Sequence, residues 1–175
     1  MATTKKNSIS DKYANVAATY FAMSSANTAR FVKFDFPFSV LDKVGLLINR
    51  MEYIMGGLDK FNGTLDWAIA GLCCAASVAD TEDTRDPLIV DQYKLQRLDI
   101  GTAASGLVLE APFMKDFSGL PGGGILVPPN PLYAFMDSDG ASDVMTVRIR
   151  VYYQYVELAV EDYWQLVESR RVVTG

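Results

Sequence analysis

The stretch VRIRVYYQYVEL, residues 147–158, alternates apolar and polar side chains with almost no interruption. The apolar parity consists of Val147, Ile149, Val151, Tyr153 and Tyr155. The polar parity consists of Arg148, Arg150, Tyr152 and Gln154. A β-strand sends alternate side chains to opposite faces of its sheet. The stretch therefore predicts a strand with one face in a core and an Arg/Tyr/Gln face outside it.

The composition indicates one domain with a substantial core and a weakly acidic surface. The chain has 175 residues, half of them hydrophobic, which suits a single domain better than two. Sixteen basic and twenty-one acidic residues give a net charge of -5, so the overall field repels polyanions. We therefore expect no sequence-specific binding of nucleic acid, and we assign the Arg/Tyr/Gln face to contact with another protein surface. The alternative is an ordinary solvated strand face.

The chain contains no histidine. It lacks the usual general base near pH 7, the base of Ser-His-Asp and Cys-His systems, and the commonest zinc ligand. We expect no enzymatic activity and no cofactor. An enzyme that uses paired carboxylates instead stays open as an alternative. Cys73 and Cys74 are adjacent in an apolar run, where we expect buried thiols and no disulfide framework.

Several further segments predict strands. The run TARFVKFDFPF from Thr28 predicts a strand that ends at Pro37 or lies at a sheet edge. Residues 44–55 also fit a helical stripe, but Gly56-Gly57 and Asn62-Gly63 frame a connection to the next apolar run, so we predict a strand. That next run, LDWAIAGLCCAASV at 65–78, alternates Trp67 with Ile69 and predicts a strand with Trp67 in the core.

The second half of the chain predicts shorter strands among loops. The acidic loop ADTEDTRDP at 79–87 precedes a strand-like segment at 88–100, and the chain is rich in Gly and Pro from 118 to 131. Short strands are expected at Leu107–Glu110, Ile125–Val127 and Leu132–Met136, and Asp139-Gly140 predicts a turn into the strand that starts at Val147.

The two ends of the chain differ from this strand pattern. Residues 1–27 read as a polar arm, with no apolar segment typical of a secretory signal, and no run of about 18 apolar residues predicts a membrane span. Residues 157–171 predict a short helix with acids first and Arg170 and Arg171 last. Its apolar positions at helical spacing are Val156, Val160, Tyr163, Trp164 and Val167. The sum predicts a mainly all-β fold, a single antiparallel eight-stranded jelly-roll sandwich over residues 28–175.

Three loops carry residues that resemble ligand sites. DSDGASD at 137–143 has three carboxylates, but Arg148 stands where a calcium loop needs a glutamate, so we expect a hairpin turn. DTEDTRD at 80–86 predicts a solvated loop, with an irregular calcium or intersubunit site as the alternative. LPGGGIL at 120–126 lacks the Lys-Ser/Thr ending of a phosphate loop and predicts a tight turn at the end of a sheet.

Four segments carry a resemblance to a known family. They are GLLINRMEYIM at 45–55, DPLIVDQYKL at 86–95, LPGGGILVPPNPLY at 120–133, and the ending at 147–171. In their order the chain resembles the small single jelly-roll major capsid proteins of icosahedral, often membrane-containing, viruses of archaea and bacteria. The resemblance covers about residues 30 to 171 and rests on strand and loop patterns, not on catalytic signatures.

The resemblance implies a virion structural protein, assembled in the host cytoplasm, whose copies form capsomers and close an icosahedral shell. Its expected partners are copies of itself, with a second capsid protein or an inner membrane beneath the shell as further partners. The arm has few lysines, which argues against genome packaging by the arm. The candidate subunit-interface residues are Arg148, Arg150, Tyr152, Gln154, Lys5, Lys6 and Lys12. The alternative function is a carbohydrate-binding, lectin-like β-sandwich module, with exposed aromatic rings on sugars and calcium in the acidic loops.

Overall fold

A computed structural model describes residues 15–36, 44–58, 61, 65–98, 112–128 and 131–169. Within these ranges the chain forms nine strands and one α-helix. The elements are β1 (Asn15–Ala22), β2 (Arg30–Phe34), β3 (Val44–Gly56), β4 (Leu65–Cys73), β5 (Ile89–Leu98), β6 (Phe113–Asp116), β7 (Ile125–Val127), β8 (Leu132–Asp139), β9 (Thr146–Glu157) and α1 (Val160–Ser169).

The strands form two antiparallel sheets packed face to face. One sheet has the order β1-β9-β3-β6, and β7 also pairs with β3; the other has the order β2-β8-β4-β5. β6 pairs with the second half of β3 and β7 with its first half, so the two short strands share one position in the sheet. The described strands thus fill eight positions, and the chain changes sheet at most of its connections. The prediction of an all-β jelly-roll sandwich is confirmed.

Most predicted strands lie where their sequence pattern indicated. The segment at 44–55 is a strand, not a helix, and the segments after the acidic loop, at Ile125–Val127 and from Leu132 onward, are strands too. β2 ends at Phe34, before Pro37, and lies at a sheet edge. Gly140 follows β8 with a φ of 78°, as the predicted turn requires. The strand predicted at 107–110 lies outside the described residues, and β6 was not predicted.

β1 corrects the prediction that residues 1–27 form one polar arm. Asn15–Ala22 is a strand that pairs with β9 along its whole length, from Asn15 opposite Tyr153 to Ala22 opposite Thr146. The sequence NVAATYFA contains β-branched and aromatic residues that favour a pleated surface, and pairing satisfies the backbone groups at the open side of β9. The sandwich therefore begins by residue 15. Residues 1–14, which contain Lys5, Lys6 and Lys12, lie outside the described residues.

The main core lies between the two sheets and confirms the apolar parity of the C-terminal strand. Val147, Ile149, Val151 and Tyr153 are buried, and Tyr155 is partly buried against the same cluster. The other sheet contributes side chains from alternate positions of β4 and β8. They include Ala68, Ala70, Leu72, Leu132, Ala134 and Met136.

A second apolar cluster lies on the outer side of the β2-β8-β4-β5 sheet. It consists of Ile69, Cys73, Ile89 and Phe135, and Val78 from the β4–β5 connection packs against it. Trp67 belongs to this cluster and is only partly buried, so the prediction that Trp67 faces the core was wrong. The reason is that both faces of β4 are apolar, because the connection between β4 and β5 covers the outer one.

Helix α1 confirms a C-terminal helix, with Glu161 and Asp162 in its first turn. Trp164, which was predicted on the apolar stripe, is 58% exposed. At 100° per residue Trp164 lies on the same side as Glu161, Gln165 and Glu168, all of which are exposed. No helix in the described ranges has the length and apolar character needed to cross a membrane.

Candidate functional site

The outer side of the β1-β9-β3-β6 sheet carries a cluster of arginine and tyrosine side chains, which we name the Arg/Tyr face. Its members come from β1, β3 and β9, neighbouring strands of one sheet. They are Tyr20, Arg50, Glu52, Arg148, Arg150, Tyr152 and Gln154.

β9 places all four of its predicted interface residues on this face. Burial alternates along the strand, with Arg148 exposed and Arg150, Tyr152 and Gln154 partly exposed between the buried apolar residues. Arg148, Arg150 and Tyr152 each have a neighbour on both sides, because β9 lies between β1 and β3. Arg148, for example, lies between Tyr20 of β1 and Ile54 of β3.

A bulge in β3 places Arg50 and Glu52 beside β9. The register between β3 and β9 shifts between Ile48 and Arg50, so Asn49 is the extra residue. Leu46 and Ile48 face the core before the bulge, and Met51 and Tyr53 face it afterwards. The change of parity turns Arg50 and Glu52 outward.

The bulge also explains why the edge strand next to β3 is divided. The Asn49 carbonyl accepts a hydrogen bond from the Phe117 amide at 2.7 Å, and the Asn49 side-chain amide donates to the Gly123 carbonyl at 2.7 Å. These bonds hold the segment between β6 and β7. The LPGGGIL motif forms a tight turn, as predicted, with Gly122 and Gly123 at φ values of 83° and 80°. The turn lies midway along the sheet edge, between β6 and β7, and not at the end of a sheet as predicted.

Two ion pairs hold arginines of the face in place. Arg150 donates to Glu52 at 3.1 Å, and the side chain of Glu52 is only 10% exposed. The hydrogen bond and the charge of Glu52 raise the pKa of Arg150 above its ordinary value. At the β6 edge, Arg50 lies 3.5 Å from Asp116. Hydrogen bonds from Ser118, with a smaller contribution from Arg50, lower the pKa of Asp116.

The two aromatic side chains of the face, Tyr20 and Tyr152, lie beside arginines. The guanidinium carbon of Arg50 is 5.7 Å from the centre of the Tyr152 ring, and that of Arg148 is 5.8 Å from the Tyr20 ring. Tyr20 is 64% exposed. Arg148 forms no ion pair within the part of the chain that the structure describes. Tyr20 and Arg148 are therefore the members of the face most available to another molecule.

A shallow depression of about 260 Å³ lies at this end of the face. It is lined by Ala18, Thr19, Tyr20, Arg148 and Arg150. The lining combines the small side chain of Ala18 with the longer tyrosine and arginine side chains. The depression therefore offers apolar carbon, an aromatic ring and cationic groups together, a combination enriched where protein surfaces meet.

The acidic loop at 80–86 uses its carboxylates to hold its own backbone. Asp80 accepts a hydrogen bond from the Glu82 amide, Asp83 from the Arg85 amide and Asp86 from the Leu88 amide, at 2.8 to 2.9 Å. Hydrogen bonds from Arg85 lower the pKa of Asp83. These are the turns that aspartate favours.

The DSDGASD segment also has local structural contacts. Asp137 accepts from the Thr81 hydroxyl at 2.7 Å and so fastens the acidic loop to β8, while Asp139 accepts from the Gly140 amide at 3.0 Å. Among the described residues, no group of three acidic or thiol side chains is placed to hold a metal ion.

Sequence reasoning missed part of the Arg/Tyr face. Tyr20 was placed in the arm, although its alternation with buried Phe21 and the β-branched Thr19 was a strand signal. Arg50 and Glu52 were read only as strand residues, because the bulge at Asn49 interrupts the parity that would have turned them outward. No sequence signal placed them beside β9, since that pairing is a long-range contact.

The sheet order and the alternation of strands between the sheets define the chain as a jelly-roll β-sandwich protein. No protein-family model matches the chain, and no curated protein is similar to it in sequence. Among solved structures, the chain is similar to that described as "The Structure of Tomato Aspermy Virus by X-Ray Crystallography". The likeness has 16% sequence identity and a TM-score of 0.39, and it covers 90% of this chain and 84% of that chain.

Proposed function

We propose that the chain is a viral coat protein whose copies pack through the Arg/Tyr face to form capsomers of an icosahedral shell. The observation that carries this proposal is the exposure of Tyr20 and Arg148 on an outer sheet face where neighbouring arginines are already fixed. Tyrosine and arginine are enriched at the energetic centres of protein interfaces. The sequence resemblance to small jelly-roll capsid proteins supports the same role.

The face is prepared for binding by its own ion pairs. Arg150 is held by Glu52 and Arg50 by Asp116, so these long side chains lose little further freedom when a neighbour docks. Ordering a flexible side chain at an interface costs roughly 0.5–1.5 kcal/mol. A second contribution comes from exposed apolar side chains that contacts between copies would bury. They are Val16, Tyr20, Phe113, Met114, Leu120, Val160 and Trp164.

The proposed partners are, first, copies of the same chain. A second capsid protein or a membrane beneath the shell is a further partner, and Lys5, Lys6 and Lys12 are candidate contact residues. The net charge of -5 disfavours affinity for nucleic acid. Under this proposal the protein is located in the virion after assembly in the host cytoplasm, and it acts without catalysis.

The test is a charge reversal on the face. We expect Arg148→Glu with Arg150→Glu to reduce self-association in sedimentation velocity and to abolish particles in electron microscopy. Because Arg150→Glu also takes the partner of Glu52 away, Arg148→Glu alone, which keeps that ion pair, should reduce self-association in the same direction with an unchanged circular dichroism spectrum. The matched control is Lys33→Glu with Arg85→Glu, which alters net charge equally at exposed positions away from the face. The control should assemble as the unaltered protein does.

Two results would contradict the proposal. One is normal assembly of the Arg148/Arg150 variant, which would make the face ordinary solvated surface. The other is an unaltered protein that stays monomeric at high concentration. If that monomer bound glycans in a calcium-dependent manner, the lectin-like alternative would take its place.

A further inference from the structure

Helix α1 presents an exposed side with two carboxylates and an indole. Glu161, Trp164, Gln165 and Glu168 are all exposed, and at 3.6 residues per turn they fall within an arc of about 100°. Trp164 lies between the two glutamates along the helix axis. We name this side the Trp/Glu side. Its chemistry is anionic at both ends and aromatic in the middle.

The helix is acidic and peripheral to the sandwich. Its ten residues VEDYWQLVES contain three acids and no base. None of its described residues belongs to either apolar cluster of the sandwich. Tryptophan combines a large apolar ring with a polar N–H group and is enriched at the energetic centres of protein interfaces.

The depression on the Arg/Tyr face has the complementary features. Its volume of about 260 Å³ exceeds the ~150 Å³ that holds a benzene ring in an engineered cavity, so it has room for an indole. An indole is the best aromatic partner for a guanidinium. Arg148 and Arg150 lie two residues apart on β9, about 7 Å along the strand. Glu161 and Glu168 lie about 10 Å apart along the helix, which long side chains can match.

The helix cannot bring Trp164 to Arg148 and Tyr20 of its own chain. Arg148 lies nine residues before Glu157, the end of β9, which is about 30 Å along a strand. From Glu157 to Trp164 the chain offers three extended steps and four helical ones, roughly 16 Å in total. Trp164 therefore meets the pair Tyr20 and Arg148 only on another copy.

We propose that the Trp/Glu side of α1 in one copy docks on the Arg/Tyr face of a neighbouring copy. The inference rests on the proposed coat function and names the two surfaces that meet. Trp164 enters the depression beside Tyr20 and Arg148, and the glutamates of the helix pair with Arg148 and Arg150. Each copy contributes its helix to one neighbour and its Arg/Tyr face to another. Such a head-to-tail contact forms a closed ring when the rotation between successive copies is a whole fraction of a turn. Such a ring is a capsomer.

The test is a charge exchange between two variants. The face variant carries Arg148→Glu and Arg150→Glu, and the helix variant carries Glu161→Lys and Glu168→Lys. Alone, each variant opposes like charges at the contact, so we expect its self-association to weaken by at least about 100-fold in sedimentation equilibrium. In an equimolar mixture each reversed surface meets its complement, and we expect association to recover with the two variants alternating.

The outcomes separate this inference from the proposed function. Recovery in the mixture, at an ionic strength where the unaltered protein associates, supports the helix-to-face contact. If only the face variant fails to associate, or if the mixture does not recover, the inference is overturned while the coat function stands. If the unaltered protein does not associate at all, the proposed function itself fails.

Lysine in place of glutamate in the first turn could unfold the helix, so two further variants test the contact without adding positive charge. Glu161→Gln with Glu168→Gln removes the charges and keeps side-chain length, and it should weaken association less than the lysine variant. Trp164→Ala should weaken it by at least about tenfold, as expected for a residue at the centre of an interface. Unchanged association in both would overturn the inference.

Discussion

We expect replacement of Asp91 by alanine to loosen the connection between the two sheets. Asp91, on β5, accepts hydrogen bonds from the Tyr53 hydroxyl of β3 at 2.6 Å and from the Lys115 ammonium of β6 at 2.9 Å. Lys115 also donates to the backbone carbonyl of Gln92. One carboxylate therefore ties a strand of one sheet to two strands of the other.

The expected loss is about 3 kcal/mol of unfolding free energy. The Tyr53 hydroxyl is buried, and losing a hydrogen bond to a charged acceptor costs roughly 1.5–3 kcal/mol. Lys115 is 28% exposed and can turn to water, so losing its ion pair adds about 1 kcal/mol or less. Asp91→Asn keeps an acceptor for Tyr53 and should lose about half as much.

The assay is urea unfolding followed by circular dichroism, in the Arg148→Glu background, which weakens association and keeps the Arg150–Glu52 ion pair. The control is Asp35→Ala, which removes an exposed carboxylate and should change stability by less than about 0.5 kcal/mol. An Asp91→Ala variant as stable as the Asp35→Ala control would refute the reasoning.

The contact between Tyr53 and Asp91 also predicts how stability changes in alkaline solution. Burial, and then the charge of Asp91, raise the pKa of Tyr53 above its ordinary value near 10. Above about pH 10 the unfolded phenol loses its proton while the folded one keeps it, so stability falls by up to about 1.4 kcal/mol per pH unit until the folded pKa is passed. Tyr53→Phe should show a shallower fall above pH 10. An identical fall in both proteins would assign the effect to other groups.

Two further predictions concern β4. Gly71→Ala would place a Cβ 2.3 Å from the Phe135 ring, so we expect urea unfolding to show a free energy of unfolding lower by about 2–3 kcal/mol. The control is Gly119→Ala, where the added Cβ meets nothing within 4 Å and stability should hardly change. Burial raises the pKa of Cys73 to about 12. At pH 8 the buried Cys73 of a Cys74→Ser variant should therefore resist iodoacetamide, and the partly exposed Cys74 of a Cys73→Ser variant should react faster. Equal rates of alkylation in the two folded variants would contradict this prediction.

The sequence predicted the strands better than it predicted their neighbours. In β9 the strict alternation identified both the core residues and the outward direction of Arg148 and Arg150. In β3 the residues also fitted a helix, and the structure shows why: the bulge at Asn49 shifts the parity in the middle of the strand. A period of two does not survive such a shift, so the outward direction of Arg50 was hidden.

The sequence by itself determined the class of fold and one strand of the Arg/Tyr face, because alternation along a strand follows from the geometry of the backbone. Tertiary structure decided the rest. Tyr20 joins the face only because β1 pairs with β9, more than a hundred residues later in the chain. Trp67 lies outside the main core because the β4–β5 connection covers a second apolar surface. Strand pairing and loop packing join residues far apart in sequence, and no local pattern encodes which distant segment supplies the partner.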